Sequence, residues 1–121
     1  MARILVVEDE PGLREDLVLE LEDAGHAVVC AADGRAAIAA LGEGGHALVL
    51  CDVQVPLADG LEILGFAADL PDDRRPRFIM LTAYSDAALH ARCEALGVAA
   101  VLVKPVDYRA LLDRVAQETA P

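Results

Sequence analysis

Five short aliphatic runs alternate with five amphipathic stretches along this chain, and few folds accommodate that alternation. The runs are Ile4-Leu5-Val6-Val7, Ala27-Val28-Val29-Cys30, Ala47-Leu48-Val49-Leu50-Cys51, Phe78-Ile79-Met80-Leu81 and Val101-Leu102-Val103. None alternates polar with apolar, which is the pattern of strands buried on both faces of a parallel sheet. Between the runs, apolar residues recur at helical spacing: Leu13, Leu17, Leu21 and Ala24; Ala37, Ile38 and Leu41; Leu61, Leu64 and Ala68; Leu89, Cys93 and Leu96; Leu111, Leu112 and Val115. The order predicts a (βα)5 chain, an open α/β sheet with helices on both faces and right-handed crossovers. Gly25, Gly42 and Gly97 stand where helices should end, and Asp33, Ser85 and Asp107 where they should be capped. Residues 69–77 (DLPDDRRPR) form the one long polar connection, expected as an exposed loop.

Composition narrows the functional classes. With 121 residues the chain is expected to form a single domain over 1–121. Hydrophobic residues make up 55%, which excludes a disordered tail, while 3% aromatics and no Trp require an aliphatic core. Twenty-one acidic against ten basic residues leave a net charge of −11, a surface that repels phosphate backbones and anionic membranes. Direct nucleic-acid binding and membrane association are therefore not expected. Cys30, Cys51 and Cys93 are odd in number and lack CxxC spacing, as reduced cytosolic thiols do. The run Ile4–Val7 is too short for a signal-peptide core or a membrane span, so a cytoplasmic location is expected.

In open α/β sheets, ligands bind at the carboxyl ends of the strands. Glu8, Asp9 and Glu10 follow the first run; the third ends in Asp52, the fourth in Thr82 and the fifth in Lys104-Pro105. His26 and His46 precede the second and third strands, at the opposite end, which argues against a histidine-containing metal or catalytic site. Carboxylates within about 4 Å repel by roughly 4 kcal/mol per pair at an effective dielectric near 20, so the cluster must hold protons or a cation. All-oxygen ligands suit Mg²⁺. Taken alone, Glu8-Asp9-Glu10 reads first as a capped helix start with favourable dipole charges, because acidic residues are abundant in this chain. Asp52 shifts the balance, because it leaves a buried strand at the adjacent position. Lys104 is the only lysine among ten basic residues, which suggests a site that needs a compact point charge. A cation site, a carboxylate nucleophile, a hydroxyl and an ammonium together form a phosphoryl-transfer set.

Four blocks carry a resemblance to a known family: Ile4-Leu5-Val6-Val7-Glu8-Asp9-Glu10, the D-x-x-x-P-x-x-x-G segment from Asp52 through Pro56 to Gly60, Leu81-Thr82-Ala83, and Val103-Lys104-Pro105. With these spacings the chain resembles the receiver domains of two-component response regulators over essentially its whole length. The resemblance implies a doubly wound, flavodoxin-like fold with a five-stranded parallel sheet of order 2-1-3-4-5. It implies that Asp52 accepts a phosphoryl group from a histidine kinase or phosphotransfer protein, in a Mg²⁺-dependent reaction, and that a downstream protein reads the result. Asp9, Asp52 and the backbone carbonyl of Gln54 would ligate the metal, with Glu8 acting through water. Thr82 and Lys104 would contact the phosphoryl oxygens.

Two positions depart from the family. Val101 stands where an aromatic switch residue is usual, and Val106 where Phe often follows the Lys-Pro pair. Tyr84, two residues after Thr82, is the nearest aromatic that could replace the switch, or else an ordinary loop residue. The alternative reading is a small Mg²⁺-dependent phosphatase with an aspartyl-phosphate intermediate. Such enzymes tend to place a second acid two residues after the nucleophile, where this chain has Gln54. A flavodoxin-like cofactor protein would want Ser, Thr and Gly after the first strand, where this chain has acids.

Overall fold

The structure, a computed structural model, describes residues 2–83 and 87–120. Strands β1 (Arg3–Val7), β2 (Ala27–Ala31), β3 (Leu48–Asp52), β4 (Arg77–Thr82) and β5 (Ala100–Val103) alternate with helices α1 (Pro11–Asp23), α2 (Gly34–Glu43), α3 (Gly60–Ala68), α4 (Ala87–Ala95) and α5 (Tyr108–Thr119). The strands form one parallel sheet in the order β2-β1-β3-β4-β5. The (βα)5 expectation and the doubly wound order both hold. The polar connection before β4 is exposed apart from Leu70 and Pro76, and contains a single 3-10 turn, Asp72–Arg74.

Two aliphatic cores flank the sheet. Leu5, Val7, Val49, Cys51 and Met80 face α2, α3 and α4, meeting Ala37, Leu41, Ile63 and Cys93. Ile4, Val6, Leu48, Leu50, Ile79 and Leu81 face α1 and α5, meeting Leu17, Leu21, Leu111 and Val115. Alternate residues of each central strand thus enter opposite cores, which is why β1, β3 and β4 read as unbroken apolar runs. The outer strands β2 and β5 differ: most of their residues are half-buried or exposed, because each has a neighbour on one side only.

Helix punctuation follows the expected residue types with one correction. Gly25 and Gly97 follow α1 and α4 with φ of 95° and 85°. Gly42, expected to end α2, lies inside it, and Gly44 closes the helix with φ 79°. A glycine in a helix costs only about 1 kcal/mol, so the chain continues to the later glycine once Leu41 is buried. Asp33 and Asp107 cap α2 and α5 by accepting from Ala36 and Ala110 N–H. Ser85 lies outside the described residues. Asp59 caps α3 in a reciprocal box with Glu62, a signal present in the sequence as D-x-x-E.

Candidate functional site

The carboxyl ends of β1, β3 and β4 are brought level by the register, which pairs Val7 with Cys51 and Asp52 with Leu81. Residues just beyond these ends therefore converge. Carboxylate oxygens of Glu8, Asp9 and Asp52 lie within 4.8 Å of one another. Asp52 is the last residue of β3 and is buried, as are Glu8 and Thr82, while Asp9 is exposed. Thr82 ends β4, and its carbonyl accepts from the Lys104 N–H at 2.7 Å, which ties the loop after β5 to the site. The Lys104–Pro105 peptide bond is cis.

Lys104 organises the centre. Its Nζ donates to Asp52 Oδ2 at 2.6 Å and to Glu8 Oε1 at 2.9 Å. Glu8 is 1% exposed while the Lys104 side chain is partly open to water, so the acid end of this ion pair is the shielded one. Burial pushes the Glu8 carboxyl above the ordinary glutamate range, against the lowering pull of hydrogen bonds from Lys104 and the Glu10 N–H. Burial draws the Lys104 ammonium down, but its hydrogen bonds to Asp52 and Glu8 more than offset this and leave it above the usual lysine value. Charge-assisted hydrogen bonds of this kind favour the ionised forms against the cost of burial.

Glu10 follows Glu8 and Asp9 in sequence but does not join their cluster with Asp52. It accepts from the Gly12 and Leu13 N–H groups as the cap of α1, which also lowers its pKa. Arg14, one turn into α1, donates from Nη1 to the Glu8 carbonyl at 2.9 Å and fixes the backbone at the acid pair. Nothing in the sequence singles it out from the other arginines. The Gln54 N–H donates to Asp52 Oδ1 at 2.9 Å, so the connection after β3 folds back on the aspartate, and the Gln54 side chain is exposed. Val101 is half-buried against the core facing α4. Tyr84 lies outside the described residues. His26 precedes β2 and His46 precedes β3, at the amino edge of the sheet and apart from the acids.

The donor set fits a hard divalent cation. Three carboxylates and one ammonium sum to two negative charges when ionised, which one Mg²⁺ would balance, and every candidate ligand atom is oxygen. No helix among the described residues is long and apolar enough to cross a membrane.

Residues 4–116 match the response regulator receiver domain family. Over 120 residues the chain is 39% identical to the response regulator protein FleR of Pseudomonas aeruginosa, covering 96% of this chain but only 24% of FleR. Over 115 residues it is 35% identical to the response regulator receiver protein CpdR of Brucella abortus, covering 95% of this chain and 94% of CpdR. The solved structure of the chemotaxis response regulator CheY4 of Vibrio cholerae superposes with a TM-score of 0.89 at 29% identity, covering 98% of each chain.

Proposed function

The chain belongs to the response regulator receiver domain family, a signalling module of two-component systems, and from that premise we propose that Asp52 is its phosphoacceptor. The observation that carries this reading is the bridge from Lys104 to the buried carboxylates of Asp52 and Glu8. The nucleophile is an Asp52 carboxylate oxygen. It attacks phosphorus while the P–N bond of a kinase phosphohistidine breaks, and the histidine leaves as neutral imidazole, the freed ring nitrogen keeping the bond's electron pair and the other ring nitrogen carrying the proton. Lys104 stands beside the same oxygen, so its ammonium can pair with the phosphoryl group that replaces the carboxylate charge. The Thr82 hydroxyl contacts a phosphoryl oxygen.

Glu8, Asp9, Asp52 and the Gln54 carbonyl are the residues that would hold Mg²⁺. When bound, the ion supplies charge neutralisation for the transferred group. Later attack of water on phosphorus breaks the bond to the Asp52 oxygen, releases inorganic phosphate and returns Asp52 to its carboxylate, so the module resets itself. The donor is a histidine kinase or phosphotransfer protein in the cytoplasm, and the reader is a downstream protein. Phosphorylation is relayed through Thr82 to the segment ending at Leu96 and to β5.

Intact-mass measurement with Mg²⁺ and acetyl phosphate tests the assignment. One added phosphoryl group, labile to acid and base and absent in Asp52→Asn, is expected. Mapping of the label to another residue would overturn it.

A further inference from the structure

We infer that Gly34 is a positioning residue for the phosphoacceptor loop: the first turn of α2 holds residues 53–59 so that the Gln54 backbone stays beside Asp52. The inference deepens, and rests on, the reading of Asp9, Asp52 and Gln54 as a Mg²⁺ site.

Gly34 opens α2, so its N–H is among those that the helix itself cannot satisfy. The Ala36 N–H is taken by the Asp33 side chain at 2.8 Å. The Gly34 N–H instead leaves the helix and donates to the carbonyl of Pro56, midway along the loop, at 2.9 Å. The approach leaves no room for a side chain. A Cβ on Gly34 would lie 2.0 Å from the Ala58 carbonyl oxygen and 2.5 Å from the Ala58 Cβ. Gly34 is buried and outside the left-handed region, so its backbone conformation does not demand glycine; the loop pressed against it does.

The rest of the loop is fixed at both flanks. At its start, the Gln54 N–H donates to Asp52 Oδ1 at 2.9 Å. At its end, the Gly60 N–H donates to the Val53 carbonyl at 2.8 Å, and a Cβ there would lie 2.8 Å from the Val53 Cα. Between these points Leu57 is held at φ 72°, a conformation that leucine adopts only under constraint. The α2 contact holds the middle of the loop from outside the β3–α3 unit, as β4 holds its start, where the Val53 N–H donates to the Leu81 carbonyl at 3.0 Å. A loop moved at Ala58 must move at Pro56 and carry Gln54 with it, and Gln54 is two residues from the nucleophile.

Amide NMR of the intact chain during a Mg²⁺ titration tests this. In wild type the Gln54 and Gly34 resonances should shift along one binding curve. Gly34→Ala should raise the Mg²⁺ Kd at least fivefold. Leu41→Ala, which opens a cavity under the same helix away from the loop, should lower Tm but change the Kd less than twofold. A silent Gly34 beside shifting Asp9 and Gln54, or wild-type affinity in Gly34→Ala, would overturn the inference. Absence of any shift at Asp9 and Gln54 would overturn the metal site itself, and the inference with it. Should Gly34→Ala not fold, the wild-type titration alone decides.

Discussion

Asp9 contributes a third negative charge to a site where Lys104 already pairs with the other two carboxylates. It makes no ion pair among the described residues, and it faces solvent. Its repulsion is therefore set by the water limit, about 1 kcal/mol per unit charge at 4 Å. Removing it should raise stability when no divalent cation is bound, and weaken the site when one is. Asp9→Ala is expected to increase Tm by a few degrees in EDTA and to lose most of its Mg²⁺-dependent rise in Tm. Thermal unfolding with and without Mg²⁺ measures both; a lower Tm in EDTA would make Asp9 a structural residue. At this scale the sequence was informative where a residue type is rare or chemically demanding. Lys104 stands out as the only lysine, and Asp52 as a charge at the end of a buried strand. Arg14 does not stand out, and the run Glu8-Asp9-Glu10 does not say which acid caps α1 and which enters the site, because both depend on where α1 turns its first residues: Arg14 onto the Glu8 carbonyl and Glu10 onto its own helix.

Among the elements, the aliphatic runs located all five strands, since an apolar run and a strand buried on two faces are physically the same pattern. The runs could not separate inner from outer strands. Ala27-Val28-Val29-Cys30 is as apolar as Leu48-Val49-Leu50-Cys51, yet Val29 is 39% exposed at one edge and Leu50 is fully buried at the centre. Sheet order depends on crossovers between distant segments, which local composition does not encode. The difference has an energetic consequence. Leu50→Ala removes packing against α1 and α5 from a strand with neighbours on both sides, and should cost about 2–5 kcal/mol. Val29→Ala removes side-chain area that is already partly in water and should cost under about 1 kcal/mol. Urea unfolding of the two variants checks this. Similar losses would mean that β2 is covered in solution, for instance by another chain.

For the molecule as a whole, the proposed acceptor role of Asp52 requires a route from the site to the surface. If Asp52 is the acceptor proposed above, phosphorylation would bring nearly two negative charges and three acceptor oxygens to a point 2.6 Å from the Lys104 ammonium. Lys104 is tied to β4 through the Thr82 carbonyl, and Thr82 is in register with Val103 on β5. A shift of Thr82 toward the phosphoryl group therefore acts on the outer edge of the sheet and on the connection into α4. Family members usually fill the space behind this threonine with an aromatic ring. Val101 instead pairs with Met80 and packs against the core facing α4, and it is too short to swing between two positions across that gap. The response should then be a displacement of the Thr82–Leu96 segment and β5 rather than the flip of a fifth-strand ring. A bistability of a few kcal/mol is enough for a bound group to redistribute it. Beryllofluoride with Mg²⁺ mimics the phosphoryl group without turnover. Amide NMR under those conditions should show shifts at Ala83, through residues 87–96 and along β5, with Val101 side-chain methyls changing little. Shifts confined to the residues around Asp52, with α4 and β5 silent, would mean that the signal leaves the site by another route. The first turn of α2, already bonded at Pro56 to the loop that follows Asp52, is the structural alternative.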